Sequence, residues 1–152
     1  MSQEEWNKQK EIWREKIEAL EIPSDNIYTM INHYEHEIDK VYQEASFYYA
    51  NLKTKYENIE DQIKAIRKAN GANGNNKEER EANAYQMLLY YPSGDPDDED
   101  TKNLIQIRNN IREKYYFFKE YVIANLKEKT FRLSTNVGAG KIAAQIEGKY
   151  GA

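Results

Sequence analysis

From Ile27 the apolar side chains recur at Ile31, Tyr34, Ile38, Val41, Ala45, Tyr49, Leu52, Tyr56, Ile59, Ile63 and Ile66. The steps alternate between 4 and 3 residues, the spacing that keeps one face of an α-helix turned toward a partner. Two steps of 4 follow each other at Val41, Ala45 and Tyr49, as a stutter does in a heptad pattern. The spacing predicts one long helix over 24–69, roughly 65 to 70 Å long at about 1.5 Å per residue. Ser24, Asp25 and Asn26 follow the break at Pro23 and offer capping oxygens for its first N–H groups. A second stripe, Leu104, Ile107, Ile111, Phe118, Val122 and Leu126, predicts a long helix over 101–135. The two are expected to pair antiparallel, or each with copies of itself.

Shorter pieces complete the pattern. Trp6, Trp13, Ile17 and Leu20 fall on one stripe of an acidic N-terminal helix within 1–22. A short helix is expected over 77–91, with its acidic residues in the first turns, where the helix dipole favours them. Gly71 to Asn76 and the stretch 92–100 carry the turn residues that interrupt helices. After Leu133, Gly138 and Gly140 suggest a hinge leading into an amphipathic tail, 139–148. Val137, Ile142 and Ile146 in and beside that tail need a surface to dock on, which in a thin helical protein points to another subunit. The fold class expected is all-α: an elongated long-helix hairpin, a short connecting helix and a C-terminal oligomerisation tail, in a single domain over 1–152.

Composition narrows the classes. The chain has 152 residues, no cysteine, 22 Lys+Arg against 26 Asp+Glu, and a net charge of -4. Without cysteine there is no disulfide framework, thiolate metal site or cysteine nucleophile, and a reducing cytoplasm is the natural setting. The acidic, helix-patterned N-terminus does not read as a signal or transit peptide. No window approaches the ~20 apolar residues of a membrane span, so no membrane association is expected. The charge is unevenly spread: 1–44 holds 5 basic and 11 acidic side chains, while 101–152 holds 10 basic and 4 acidic. A polyanion site is therefore expected in the C-terminal third rather than a uniform affinity for nucleic acid.

Few residues suggest chemistry. His33 and His36 stand at i and i+3, a spacing open to a shared metal, but no third ligand is marked and two surface histidines are the expectation. Gly138-Ala139-Gly140-Lys141 lacks the first Gly and the final Ser or Thr of a phosphate loop, so it is read as a hinge. Asp95, Asp97, Asp98, Glu99 and Asp100 lack the central Gly and terminal Glu of a calcium loop and read as a solvated charge run. No metal or other cofactor is expected, and with no set of acid, base and nucleophile the chain is expected not to be an enzyme.

The basic and aromatic stretch from Ile111 to Arg132 is the main candidate site. It interleaves Arg112, Lys114, Lys119, Lys127, Lys129 and Arg132 with Tyr115, Tyr116, Phe117, Phe118, Tyr121 and Phe131. That mixture binds single strands, cations holding the backbone and aromatic faces stacking unpaired bases. The competing expectation is that some of these consecutive rings are core. A second cluster, Lys64, Arg67 and Lys68, ends the long helix, and there favourable placement at the helix C-terminus competes with a binding role. Lys141 in the tail is the last cation of the candidate set.

The order of features resembles the UvsY recombination mediator family of tailed bacteriophages. The similar stretch covers about residues 40–148: a long helix with ASFYYANLKTKYENIEDQIKAIRKANGANG, a short helix with EREANAYQMLLYY, a loop, and REKYYFFKEYVIANLKEKTFRLSTNVGAGKIAAQIEG. Where that family ends its central helix in Lys-Ala-Arg, this chain has Lys64-Ala65-Ile66-Arg67-Lys68, with one residue inserted. The chain departs from the family in its acidic N-terminal helix and acidic loop. The resemblance implies binding of single-stranded DNA as a ring-like homo-oligomer, loosening of single-strand-binding protein and loading of a recombinase, in the host cytoplasm if phage-encoded. The alternative is a non-catalytic interaction module such as a phage adaptor, inhibitor or assembly factor, for which Trp6 and Trp13 would be the anchors.

Overall fold

The computed structural model describes residues 2–21, 26–70, 74–90 and 103–150, and all of its regular elements are helical. They are α1 (Gln3–Glu18), α2 (Ile27–His33), α3 (Asp39–Asn70), α4 (Lys77–Tyr90), α5 (Leu104–Tyr116) and α6 (Ala124–Tyr150). A π-helical turn, Tyr34–Ile38, joins α2 to α3, and a π-helical segment, Phe117–Ile123, joins α5 to α6. Pro23, Ser24, Asp25, Gly71 to Asn73 and the acidic run 92–100 lie outside the described residues.

The caps follow from residue chemistry. Asn26 begins α2 in an extended conformation, and its side-chain oxygen accepts from the Thr29 N–H at 2.8 Å. Asn103 does the same for α5 through Gln106 at 3.0 Å. At the start of α1 the Glu5 N–H donates to Ser2 Oγ and the Ser2 N–H donates to Glu5, a reciprocal capping box. The Ser2 N–H pulls the Glu5 carboxyl below its ordinary pKa. Asn76 caps α4 by accepting from the Glu79 N–H, and Glu79 reaches back to the Asn75 N–H at 2.7 Å. Gly74 leads into this turn at φ +139, where a Cβ would stand 2.8 Å from the Arg80 nitrogen, so only glycine fits.

The chain forms two compact units. One comprises Met1–Gln9 and Ala50–Phe117, the other Lys10–Tyr49 and Phe118–Ala152. In the first, Ile59 and Ile63 of α3, Leu88 of α4 and Leu104, Ile105 and Ile107 of α5 make the core, with Ile66 and Ile111 packed against it. Here α3 and α5 run antiparallel: Tyr56 stacks on Tyr115 at 5.1 Å, and Glu60, one turn further on, lies 3.8 Å from Arg108, two turns further back. Trp6 of α1 meets Phe117 edge to face at 5.4 Å, and its indole N–H donates to Glu113.

In the second unit Trp13 and Ile17 of α1 and Leu20 just after it are buried, together with Met30, Ile38, Ala45, Phe118, Val122, Ile123, Leu126 and Leu133. Trp13 lies edge-on to Phe118 at 5.2 Å and to Tyr48 at 5.8 Å, while Lys16 pairs with Glu44 at 3.0 Å. Lys129 donates to the Leu20 carbonyl at 2.7 Å, two residues past the end of α1, and so satisfies that acceptor.

Of the helix expected over 24–69, the described residues are helical from Ile27 onward, but its irregularity lies earlier than the spacing predicts. The Asp39 N–H reaches back five residues to the Tyr34 carbonyl, so this turn holds one residue more than an α-helical turn. The inward face before it is thereby displaced by one position. Met30 is 1% exposed, where the pattern predicts Ile31, which is 43% exposed. His33 likewise turns inward in place of Tyr34, and its Nε2 is buried with no hydrogen-bond partner among the described residues, unlike the surface histidine expected. From Ile38 onward the expected stripe holds: Ile38, Ala45, Ile59 and Ile63 are buried, and Val41, Tyr49, Leu52, Tyr56 and Ile66 are half-buried.

The hinge expected at Gly138 and Gly140 is replaced by unbroken helix, since α6 continues through both to Tyr150. At Gly140 the missing side chain lets α6 approach α2: a Cβ would stand 3.2 Å from Ile27 and 3.3 Å from Met30. Packing, rather than a bend, is what this glycine permits.

Candidate nucleic-acid interface

The first unit carries Lys64, Arg67, Lys68, Arg112, Lys114, Tyr115 and Tyr116 of the expected set, and the second carries Lys119, Lys127, Lys129, Arg132 and Lys141. Lys64, Arg67 and Lys68 are exposed in the last two turns of α3, where the carbonyl end of the helix favours cations. They lie within five residues on a helix, so their charges add over a few ångströms of backbone.

Around Tyr56 the rings divide into core and surface. Tyr115 is buried, and its ring lies nearly parallel to Tyr56, at 6° between planes. Burial, then the Glu60 carboxylate, push the Tyr56 phenol above its usual pKa. Tyr115, buried and stacked on one face by Tyr56, is therefore core rather than a platform for a base. Tyr116 is half-buried, 5.3 Å from Tyr115, with the exposed Arg112 guanidinium 5.5 Å from its centroid. Lys114 lies 5.9 Å from the Trp6 ring. Phe118 is core of the second unit, Tyr116 and Phe117 are half-buried, and Phe131 is exposed, so the consecutive aromatics are structural first.

The cations of the second unit differ in their occupations. Lys129 holds the Leu20 carbonyl and Arg132 pairs with Glu128 one turn earlier. Lys119, Lys127 and Lys141 are exposed. Of the residues expected to drive oligomerisation, Val137 is half-buried beside a groove of about 410 Å³ lined by Met30, Ile31, Tyr34, Thr130, Leu133 and Ser134. Ile142 and Ile146, one turn apart on α6, are 60% and 53% exposed. Trp6 and Trp13, the suggested anchors for a partner protein, are buried within the two units and present no such surface.

A cleft of about 630 Å³ in the first unit joins Arg67 to residues outside the expected set: Lys77, Arg80, Glu81, Ala84 and Tyr85 of α4. The α4 positions recur at i, i+3, i+4, i+7 and i+8, so they share one side of the helix. The signal available in the sequence was that spacing of Lys77, Arg80 and Tyr85, which is hidden because 77–94 is slightly acidic overall. Among the described residues no group of three His, Cys, Asp or Glu side chains is placed to hold a metal, and no helix is long and apolar enough to cross a membrane. No family model, no curated protein and no solved structure matches this chain.

Proposed function

We propose that the chain is a recombination mediator that binds single-stranded DNA as a homo-oligomer and helps load a recombinase onto DNA covered by single-strand-binding protein. The observation that carries this reading is the exposed cluster Lys64, Arg67 and Lys68 at the end of α3, standing where the resemblance to UvsY mediators puts a basic motif. Arg112 with Tyr116 supplies a further cation and a half-buried ring in the same unit. Exposed Ile142 and Ile146 support the oligomerisation tail, and copy number multiplies contacts that are weak singly. The regular elements described are all helical, as an all-α scaffold requires. The acidic N-terminal residues offer a surface for basic partner proteins. The work is binding and displacement, without a covalent step.

Binding of a fluorescent oligo(dT) across a salt series, with solution mass measured in parallel, tests the proposal. The wild type is expected to bind tightly at low salt and to weaken steeply as salt rises, because each neutralised phosphate of a single strand contributes about -0.7 to the log–log slope. Replacing Lys64, Arg67 and Lys68 together by Gln is expected to flatten that slope by about 2. An absence of binding at low salt sinks the reading and turns the search to protein partners.

A further inference from the structure

We propose that the cleft between the end of α3 and one side of α4 seats a single unpaired nucleotide, its phosphate held by Arg67 and Arg80 and its base laid against Tyr85. The inference rests on the single-strand reading above and names the place where one nucleotide of that strand is gripped. Three cations, Arg67, Lys77 and Arg80, line the cleft against one carboxylate, Glu81, which leaves it positive. The carboxylate lies 3.9 Å from the Lys77 ammonium. The two guanidiniums are the lining groups whose planar forks match phosphate oxygens two at a time.

Size and ring chemistry separate a nucleotide from a bare anion. At about 630 Å³ the cleft falls in the roughly 300–1,000 Å³ range of small-molecule pockets, far more than one phosphate needs. Tyr85 is 46% exposed and lines the same space. A flat aromatic face beside paired cations is the combination that grips single strands, because every unpaired base offers a π-face while a duplex keeps its faces stacked. Ala84, between these side chains in sequence, is buried and adds no bulk to the lining.

Arg80→Gln and Tyr85→Ala, made singly, test the seat by titration with fluorescent oligo(dT) over a salt series. Both side chains are exposed, so helicity and melting temperature are expected to match the wild type. Arg80→Gln is expected to lower the salt slope by about 0.7. Tyr85→Ala is expected to weaken binding by about 5- to 150-fold with the slope unchanged, the weight of one stacked base. If the wild type binds and both variants bind as it does, the seat is overturned and the wider reading stands. A loss in only one of the two also overturns it, since a nucleotide needs both contacts. Failure of the wild type to bind at low salt overturns both.

Discussion

At the residue scale, side chains of one chemical type have divided between structure and surface. Lys129 and Lys127 are two residues apart, yet Lys129 holds the Leu20 carbonyl just past α1 while Lys127 is exposed. Replacing Lys129 by Met strands the Leu20 carbonyl and removes a charge-assisted hydrogen bond, at a cost of about 1.5–3 kcal/mol. The same change at Lys127 is expected to fall within about 0.5 kcal/mol of the wild type, and urea melts of the two variants compare them directly. Tyr56 adds a pH dependence. Its phenol is held above the usual value by burial first and by Glu60 second, so the folded state favours the neutral form. That contribution is fully present below the unfolded value near about 10 and is lost as pH rises through the higher folded value. Melting temperatures taken across that alkaline range are expected to fall less for Tyr56→Phe than for the wild type; equal falls would remove Tyr56 as the cause.

At the element scale, the glycines of α6 test whether a helix interior or a close contact sets their role. A Cβ added at Gly138 would meet nothing within 4 Å, so Gly138→Ala is expected to stabilise by about 0.8–1 kcal/mol, the difference in helix propensity. Gly140→Ala gains the same propensity but presses on Ile27 and Met30, so its gain is expected to be smaller, and Gly140→Leu is expected to destabilise. Thermal melts of the three variants rank them, and equal gains for both alanine variants would show that α2 does not pack there. These glycines also show how far the sequence was legible. Periodicity located the helices and the buried stripe from Ile38 to Ile63, because burial on one side of a helix imposes a pattern that survives any detail of packing. It read Gly138 and Gly140 as a hinge, since a local preference for bending is visible in sequence and the neighbour that needs a close approach is not. The π turn at Tyr34–Ile38 escaped for the same reason: Ile31 and Tyr34 fit an unbroken helix, whereas Met30 is the side chain that packs at Gly140 of α6. In the candidate site, the cations of α3 were legible as a run, whereas Lys77, Arg80 and Tyr85 acquire meaning once α4 brings them beside Arg67.

At the scale of the whole molecule, the proposed mediator depends on how many copies act on one strand. An isolated cluster of Lys64, Arg67 and Lys68 neutralises about three phosphates, which alone gives weak, salt-labile binding. Linking several such clusters turns the later contacts into intramolecular ones and raises avidity by about 10² to 10⁴ without any new contact. In the proposed reading Ile142 and Ile146, both exposed on α6, make that link. Replacing both by Asp puts charge where burial between copies would occur, and because both side chains are more than half exposed the helices themselves are expected to persist. Light scattering should then report a smaller solution mass at unchanged helicity. Affinity for an oligonucleotide long enough to span several copies should drop by at least about 10², while affinity for one that fits a single copy stays within about twofold. The pairing of the two lengths is what gives the experiment its force, because a variant that had merely lost its fold would lose both, and a tail unconnected with assembly would spare both along with the mass.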